Sequence, residues 1–288
     1  MKLLVTGSGG LVGSALLPVL RAAGHTVVRL IQNKPAENEI EWEGLEAVIH
    51  LAGESIAANR WTAEIKKKIR DSRVLGTRFL CRTLAGLKNP PRVLISASAV
   101  GYYGDRGNEL LTEESPAGRG FLSQVCQEWE EAAKPAAEKG IRVVPLRFGM
   151  ILSAEGGGLA KMLPPFRMGL GGRLGSGTQG MSWVSLEDVI GITQHVLKNE
   201  SLKGPVNAVA PQTVTNNEFT KTLGRVLSRP TPFPVPAAAV KLVFGEMADE
   251  LLLASTRVIP KKLTDSGYLF KHPLLYQALS NALKGKAG

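Results

Sequence analysis

The sequence predicts an α/β protein with a doubly wound parallel sheet, and three observations support this fold class. Short apolar runs alternate with longer amphipathic stretches through the first half of the 288-residue chain, which is the order that repeated βα units produce. The first apolar run leads into a glycine-rich turn that opens a helical pattern. The 44% hydrophobic content gives a chain of this length enough apolar side chains for a substantial core. We therefore expect a ligand at the carboxyl ends of the strands.

The apolar periodicity predicts each element in turn. The first helix covers residues 11–24, with Gly24 as its stop and Pro18 expected to remove a hydrogen bond or bend it. Residues 156–180 are rich in glycine and basic residues, and we expect a long functional or mobile loop there. The predicted strands cover residues 2–6, 25–31, 47–53, 92–98, 142–148 and 205–210. The other predicted helices cover about 62–87, 124–139, 186–198, 237–244 and 273–284.

Charge does not favour a nucleic-acid partner, although the net charge is +10. The densest basic run, residues 64–73, carries Ile65 and Ile69 at helical spacing, which indicates a solvated helix face above a buried stripe. No aromatic side chains alternate with these basic residues, as single-strand recognition would require. The alternative, a nucleic-acid binder, is therefore the weakest of the functions considered.

Other composition features suggest the setting of the protein. The four histidines are scattered without metal-ligand spacing, so we predict no metal site. Cys81 and Cys126 lie in helical patterns, which favours a reducing compartment over a disulfide framework. No apolar run is long enough to span a bilayer, and the chain opens directly on a strand pattern. We expect a cytoplasmic monomer or homodimer that acts on a small molecule, without a membrane partner.

The stretch VTGSGGLVG is the strongest motif, because it follows a predicted strand and opens a predicted helix. Gly7 permits the tight turn, Gly10 lets the backbone approach a pyrophosphate, and Gly13 lets helix and strand pack closely. The helix start then offers free N–H groups and a positive dipole to phosphates. The alternative is a glycine-rich turn without a ligand, but position, spacing and flanking elements all favour a dinucleotide.

The end of the second strand favours NADP over NAD. Proteins that bind NAD place a carboxylate there, which binds the ribose hydroxyls, whereas this chain has no acidic residue between the second strand and Glu37. Arg29 and Lys34 would attract a 2′-phosphate. The alternative is that both are ordinary surface residues.

These residues resemble the extended short-chain dehydrogenase/reductase superfamily, also called the NAD-dependent epimerase/dehydratase family. VIHLAGE, SRVLGTRFL, ISASAVGYYG and GSGTQGMSWVSLEDV are similar to further segments of that family. The stretch from residue 156 to 177 and the tail RVIPKKL…GYLFKHPLL resemble an atypical branch of unassigned activity that carries a small C-terminal domain of unknown function. The resemblance covers nearly the whole chain.

The resemblance implies an NADP-binding Rossmann domain (residues 1–150 and about 183–210) and a smaller α/β substrate-side domain (about 151–182 and 211–288). It also implies a set of cofactor-binding residues. Near the pyrophosphate these are Gly7, Gly10, Leu11, Val12 and Gly13; near the 2′-phosphate they are Gln32, Asn33 and Lys34. The adenosine side is bordered by Leu51 and Ala52, Arg73 reaches toward the cofactor, and the nicotinamide side is lined by Gly149 to Ile151.

The sequence departs from the family at the catalytic pair. In the family a tyrosine exchanges a proton with the substrate, and a lysine four residues later lowers the tyrosine pKa and binds the nicotinamide ribose. Phe121 and Val125 stand in those places here, and no other Tyr-x-x-x-Lys occurs in the chain.

Three replacements for the tyrosine are predicted from the neighbouring segments. They are Ser98 (or Ser96), Tyr103 (or Tyr102) and Glu54, as binder of the carbonyl oxygen, phenol donor and base respectively. Each has a structural alternative. The serine would cap a turn, the tyrosine would pack in its loop, and the glutamate would cap the next helix.

A second departure concerns the substrate. Nucleotide-sugar enzymes of the family carry an Arg-Asp pair where this chain has Met181 and Ser182. Lys161, Arg167 and Arg173 are left as anchors for an anionic substrate or as residues that keep the loop soluble. Two functions follow: an NADP-binding, epimerase-like oxidoreductase with a non-standard proton donor, or a catalytically silent NADP-binding sensor or interaction protein, such as a cell-division-linked factor.

Overall fold

Strands and helices alternate along most of the chain in a computed structural model that describes residues 1–30 and 41–284. The strands are β1 (Lys2–Thr6), β2 (Thr26–Leu30), β3 (Ala47–His50), β4 (Val93–Ala99), β5 (Leu110–Leu111), β6 (Arg142–Phe148), β7 (Met150–Leu152), β8 (Gly180–Met181), β9 (Trp183–Ser185), β10 (Val206–Ala208), β11 (Val214–Thr215) and β12 (Arg257–Val258). The helices are α1 (Leu11–Ala22), α2 (Ala63–Ala85), α3 (Phe121–Glu131), α4 (Lys134–Glu138), α5 (Gly157–Arg167), α6 (Leu186–Lys198), α7 (Asn216–Leu227), α8 (Ala237–Phe244), α9 (Lys261–Asp265) and α10 (Leu275–Lys284).

The central sheet has six parallel strands in the order β10-β6-β4-β3-β1-β2, which confirms the predicted fold class. Leu4 of β1 is paired with Val28 on one side and Val48 on the other. The chain therefore leaves β1 in one direction for β2 and later returns on the opposite side as β3. This reversal next to β1 is the switch point at which doubly wound sheets bind ligands.

Helices cover both faces of this sheet because its strands are apolar on both sides. Leu3 and Val5 point to the face covered by α1 and α6, where they pack with Leu16 and Ile192. Leu4 points to the opposite face, where it belongs to the cluster formed with α2 and α4. Strand β1 is thus held between two buried layers, and the glycine turn follows its carboxyl end.

Two predicted elements differ in the structure. The helix expected over 124–139 starts at Phe121 and divides into α3 and α4, because Pro135, in the first turn of α4, has no N–H for a continued helical ladder. The expectation of one long loop over 156–180 is wrong, because α5 forms there and buries Leu159, Leu163 and Phe166 at helical spacing. Helix α1 runs on through Pro18.

Residues 235–284, called the C-terminal part below, contact helix α6 through buried polar groups. The Asp188 carboxylate in α6 is fully buried and accepts hydrogen bonds from the N–H groups of Lys271 and His272, at 2.8 and 3.0 Å, and from the Tyr268 hydroxyl at 3.1 Å. A second apolar cluster, centred on Trp183 and Phe219, joins α5, α7 and α10. The C-terminal part therefore packs against α6 and, through α10, against α5 and α7.

Most of the basic run of α2 is paired with acids. Lys67 and Lys68 form ion pairs with Asp71 and Glu64, one helical turn away, while Lys66 and Arg70 bind Glu246 and Glu128. Among the residues that the structure describes, no helix is long and apolar enough to cross a bilayer. Within residues 1–30 and 41–284 there is also no group of three or more histidine, cysteine or acidic side chains placed to hold a metal ion.

Candidate functional site

The glycine turn after β1 lies against the chain that follows β3. Gly7 has φ +66°, and a Cβ there would lie 2.6 Å from the carbonyl carbon of Leu51 and 2.7 Å from the nitrogen of Ala52. A Cβ at Gly13 would lie 2.7 Å from Cα of Ser8 and would also collide with the Gly7 carbonyl oxygen. Gly7 requires glycine for its positive φ, consistent with the predicted tight turn, and Gly13 requires it because the helix start packs closely on that turn.

The start of α1 has no side-chain cap and no acidic residue in its first turn, so its backbone N–H groups are left for another acceptor. Its N-cap is Gly10. The Gly10 N–H is used by the Gly7 carbonyl at 3.0 Å. The first-turn N–H groups of Leu11, Val12 and Gly13 have no acceptor within the helix. This cradle fits the pyrophosphate of a dinucleotide, which would accept these N–H groups at the positive end of the helix.

The β2 side of the turn carries an exposed arginine. Arg29 Nε donates a hydrogen bond to Ser8 Oγ at 3.1 Å, which holds the guanidinium beside the glycine turn. The residues predicted to lie near the 2′-phosphate, Gln32, Asn33 and Lys34, lie outside the described residues. Among the described basic residues, Arg29 is the nearest to them in the sequence.

The β3 side of the turn carries a second arginine, Arg73 of α2. Its side chain lies beside Gly53, with Cζ over the Trp129 ring at 5.1 Å from the centroid, and Nη1 donates to the Ile69 carbonyl oxygen at 3.0 Å. Burial lowers the pKa of the Arg73 guanidinium, a shift that Cys126 and Glu54 partly oppose. The structure therefore holds a cation in a partly dehydrated place at the strand ends.

Ser98 belongs to a buried polar cluster rather than to an open cleft. Its hydroxyl donates to Glu130 Oε1 at 2.7 Å. The same carboxylate accepts Nε and Nη2 of Arg147 at 2.8 and 2.7 Å, a two-pronged ion pair between α3 and β6. The cluster fully occupies the Ser98 hydroxyl proton, and the serine does not cap a turn.

Tyr103 is fully buried, and its hydroxyl has both of its hydrogen-bond partners. It donates to Asn207 Oδ1 at 2.7 Å and accepts from Arg147 Nη1 at 2.9 Å. Burial raises the pKa of Tyr103, while Arg147 lowers it in part. Tyr102 stacks on the same arginine, with its ring centroid 3.4 Å from Cζ. This geometry does not favour Tyr103 as a proton donor to an external substrate.

Phe121 and Val125, the residues predicted to stand in the places of the family catalytic pair, are packed against neighbouring side chains. The Phe121 ring packs edge-on against Trp61 at 5.2 Å, and Lys66 Nζ lies 4.6 Å from its centroid. Val125 is 3% exposed. The start of α3 is capped from the C-terminal part, since the Glu250 carboxylate accepts the N–H groups of Phe121 and Leu122 at 3.1 Å each.

Glu54 is the predicted donor that stays exposed. Its backbone N–H donates to Ser72 Oγ at 3.1 Å, and among the described residues its carboxylate has no hydrogen-bond or ion-pair partner. It does not cap α2, because Thr62 accepts the Ile65 N–H and fills that role. Of the three predicted replacements, Glu54 alone keeps its functional group exposed and without a hydrogen-bond partner among the described residues.

The residues predicted to line the nicotinamide, Gly149 to Ile151, follow β6 and contact the chain around Ser182. A Cβ at Gly149 would lie 2.7 Å from the Ser182 carbonyl oxygen, so only glycine permits this approach. Ile151 pairs with Val184 in the short β7–β9 ladder. Ser182, at the place of the family Arg-Asp pair, donates to the Thr256 carbonyl oxygen at 2.7 Å and accepts the Val258 N–H at 2.9 Å. This position attaches the C-terminal segment.

The predicted anion anchors are not brought together. Arg173 Nη1 donates to the carbonyl oxygens of Gly175 and Ser176 at 2.9 and 2.7 Å, so it holds its own loop. Lys161 Nζ donates to the Ala57 carbonyl oxygen, which connects α5 to the loop after β3. Arg167 is exposed at the end of α5. Their positions favour loop attachment over a common substrate anchor.

Sequence reasoning missed Glu130, Arg147 and Glu250. Arg147 had a usable indicator, because an arginine inside the apolar strand run VVPLRF must be paired when it is buried. Glu250 had none, since it contacts α3 from 129 residues away.

Models of known protein families match most of the chain. The model described as "NAD dependent epimerase/dehydratase family" matches residues 3–209, and the "Domain of unknown function (DUF1731)" matches residues 235–282. The chain is 44% identical over 291 residues to epimerase family protein Mb2239 of Mycobacterium bovis, with 96% of each chain covered. It is 36% identical over 290 residues to epimerase family protein SDR39U1 of Homo sapiens, covering 97% of this chain and 98% of that protein.

Solved structures give the same result. The chain superposes on human epimerase family protein SDR39U1 (isoform 2), crystallised with NADPH, with TM-score 0.92 and 34% identity over 99% of each chain. It also superposes on the nucleoside-diphosphate sugar epimerase from Corynebacterium glutamicum, with TM-score 0.80 and 36% identity over 98% of this chain and 58% of that one.

Proposed function

The chain belongs to the NAD dependent epimerase/dehydratase family, and on that premise we propose that it is an NADP-dependent, epimerase-like oxidoreductase with a non-standard proton donor. Its substrate is a small molecule of unassigned structure. The proposed cofactor domain comprises residues 1–150 and about 183–210, and the proposed substrate-side domain comprises about 151–182 and the residues from 211 onward. A cytoplasmic location and a monomeric or homodimeric state stay predictions.

The observation that carries this proposal is the free start of α1 at the switch point. Gly7 and Gly13 allow the turn to close against Leu51 and Ser8, and the uncapped first-turn N–H groups would then be available to bind a pyrophosphate. When bound, NADPH would supply a hydride for reduction of a carbonyl group. The protein would bind, orient and shield it.

Two observations support NADP rather than NAD as the cofactor: the position of Arg29 and the ligand of a similar protein. Arg29 is exposed beside the turn at the end of β2, where a cation attracts a 2′-phosphate and no described carboxylate repels it. The human relative that shares 34% identity was crystallised with NADPH. Lys34 is proposed as a second contact to this phosphate, with Gln32 and Asn33 beside it.

Glu54 is the proposed proton-handling residue. Its carboxylate is exposed and unpartnered in the described part of the chain, whereas the Ser98 hydroxyl is bound to Glu130 and the Tyr103 hydroxyl is satisfied twice. A protonated Glu54 carboxyl group at this edge of the sheet would donate a proton to the carbonyl oxygen as the carbonyl carbon accepts the hydride, and the resulting carboxylate would recover a proton from solvent. Ser98 and Tyr103 would hold the surrounding backbone in position.

A catalytically silent NADP-binding protein is the second candidate, and one observation favours it. Phe121 packs on Trp61 and Val125 is buried, so both positions of the family pair hold apolar side chains in a packed arrangement. Cofactor binding would then report the NADPH/NADP⁺ ratio to a partner rather than drive chemistry.

One experiment separates the two functions. The purified protein is titrated with NADPH and with NADH, using nicotinamide fluorescence, and then incubated with NADPH and a panel of aldehydes and ketones. We expect NADPH to bind more tightly than NADH and at least one carbonyl compound to be reduced. Glu54→Gln should abolish that reduction and leave the NADPH Kd unchanged. Binding without turnover across the panel would support the silent protein, and absence of binding would refute both.

A further inference from the structure

Two segments outside the central sheet lie side by side at the surface. They are residues 167–175, at and after the end of α5, and residues 229–235, just before α8. Leu174 is bridged to Val235 in a parallel arrangement. At the other end of the two segments, Arg229 Nε donates to the Arg167 carbonyl oxygen at 2.9 Å. The two segments, called the paired loops below, therefore form one continuous surface.

Three large apolar side chains of the paired loops are exposed to solvent. Met168, Leu170 and Phe233 are 66%, 56% and 55% exposed. A Cβ at Gly172 would collide with the Phe233 carbonyl oxygen, so the two backbones are in direct contact while these side chains stay uncovered. Single exposed apolar residues are ordinary, but three such side chains on two adjoining segments form a patch, and apolar patches mark sites of interaction.

The surface of the paired loops is cationic and lacks acidic residues. Residues 156–186 and 219–245 contain no aspartate or glutamate, although the chain holds 25 acidic residues. Arg167 and Arg229 adjoin the apolar patch, and in the part of the chain that the structure describes neither has a carboxylate oxygen within 4.0 Å. The basic run of α2, by contrast, is mostly paired with acids. The paired loops therefore present apolar side chains beside positive charge that is not neutralised.

This combination discriminates among the possible occupants of the surface. A second copy of the chain is disfavoured, because a two-fold contact through the patch would bring the arginines of both copies together without acidic partners. A nucleic acid would be attracted by the charge, but Met168 and Leu170 have no aromatic face on which a base could stack. An anionic bilayer matches both features, since its headgroups attract arginine and its acyl boundary takes up apolar side chains.

We propose that the paired loops bind the surface of an anionic phospholipid bilayer. Met168, Leu170 and Phe233 enter the boundary between headgroups and acyl chains, while Arg167 and Arg229 contact lipid phosphates. The proposal is independent of the proposed cofactor binding, because the paired loops contain none of the residues predicted to bind NADP. It departs from the expectation of no membrane partner, which rested on the absence of a spanning apolar run, since contact with a membrane surface needs no such run.

The test measures binding of the whole protein to vesicles by co-sedimentation. One set of vesicles contains phosphatidylcholine alone, and the other contains phosphatidylcholine and phosphatidylglycerol in equal parts. The test variant combines Met168→Ser, Leu170→Ser and Phe233→Ser. The matched control combines Leu75→Ser and Phe79→Ser, which replace exposed apolar side chains of α2.

We expect the native protein to bind the anionic vesicles at least about tenfold more tightly than the neutral ones, and added salt to weaken this binding. The triple serine variant should lose at least about tenfold in affinity for the anionic vesicles, because its three side chains no longer leave water. The α2 control should bind like the native protein. Arg167→Gln combined with Arg229→Gln should weaken binding by about 5–30-fold. Absence of binding by the native protein, or equal binding by the triple serine variant, overturns the proposal.

A fluorescence measurement locates the contact. Phe233→Trp should add tryptophan emission that shifts to shorter wavelength on anionic vesicles and is quenched by lipids brominated on their acyl chains. Phe79→Trp on α2 should show neither change, and equal behaviour of the two variants would count against the paired loops. All of the substituted side chains are exposed, so the variants should keep the native urea unfolding transition. If the triple serine variant does not fold, the two tryptophan variants carry the test.

Two soluble polyanions test the alternative occupants. Double-stranded DNA stands for a nucleic acid, and poly-glutamate stands for an acidic protein segment. We expect both to bind more weakly than the anionic vesicles, because neither offers an acyl boundary to Met168, Leu170 and Phe233. If either polyanion binds the native protein as tightly as the anionic vesicles do, the surface is a general anion-binding face and the bilayer proposal is overturned.

Discussion

Glu250 and Phe121 lie 129 residues apart in the chain, yet the Glu250 carboxylate accepts the Phe121 backbone N–H at 3.1 Å. Its second oxygen accepts the Leu122 N–H at the same distance, so the C-terminal part provides the N-cap of α3. Gly120, with φ +100°, provides no side-chain cap, and a Cβ there would collide with this carboxylate. The C-terminal part is thereby attached at the position where the family tyrosine would stand.

This contact gives the first prediction. Glu250→Ala should lower the free energy of unfolding by about 1–2 kcal/mol, because it removes a helix cap and leaves two N–H groups without their acceptor. Glu246→Ala is the matched control, since it breaks an exposed ion pair with Lys66 and should cost less than about 1 kcal/mol. Urea denaturation measures both variants. Equal losses would show that Glu250 is not a cap of this strength.

The buried pair of Arg147 and Glu130 gives the second prediction. Their side chains are 3% and 14% exposed, and Glu130→Leu leaves the arginine charge buried without a counter-ion. The loss should be about 3–5 kcal/mol. The double variant with Arg147→Met should cost less than the sum of the single variants by about 1–3 kcal/mol, because neither charge is then stranded. Strict additivity in denaturant titrations would contradict the pairing.

His50 gives a prediction for pH dependence. Its ring is hydrogen-bonded to Thr6 Oγ1 at 2.6 Å and Thr77 Oγ1 at 2.9 Å, and burial lowers the pKa of His50 from 6.5 to about 4. Well above pH 6.5 the ring is neutral in both the folded and the unfolded chain, so its titration does not change the free energy of unfolding there. As the pH falls toward 4, the unfolded chain takes up a proton that the folded protein does not. The stability should therefore fall, by about 3 kcal/mol in total.

Comparison with a variant isolates this contribution. His50→Gln does not titrate, so its unfolding free energy should decline less steeply between pH 6.5 and 4 than that of the native protein, although it starts lower at pH 7. Parallel pH profiles from urea denaturation would show that His50 does not carry the effect.

The glycine turn gives the fourth prediction. Gly13→Ala should lower NADPH affinity at least about tenfold and stability by about 1–3 kcal/mol, because the new methyl group meets Ser8 Cα at 2.7 Å and displaces the turn. Gly9→Ala is the stability control, since no heavy atom lies within 4 Å of its Cβ. Its unfolding free energy should change by less than about 0.5 kcal/mol. Fluorescence titration measures the NADPH affinity, and urea denaturation measures the free energy of unfolding. If Gly13→Ala left both quantities unchanged, the close approach of Gly13 to Ser8 would be refuted.

The predictions from sequence succeeded where the cause is local. Glycine spacing after an apolar strand anticipated the turn at Gly7 and Gly13, because backbone approach depends on the absence of nearby Cβ atoms. Alternating apolar runs anticipated the parallel sheet. The segment 156–180 failed for the opposite reason. Its glycines suggested a loop, but burial of Leu159 and Leu163 against other helices makes α5 favourable.

The linear chain predicts a cofactor cradle after β1 and predicts that Phe121 and Val125 stand in the places of the family pair, since both inferences depend on residue type at fixed spacing. It could not rank Ser98, Tyr103 and Glu54, because all three are polar residues near strand ends. Folding separates them by bringing Glu130, Arg147 and Asn207 to the first two and leaving Glu54 exposed. Hydrogen bonds between segments that are distant in the sequence occupy polar side chains. Which polar side chains stay free therefore depends on tertiary contacts, which a local sequence pattern does not predict.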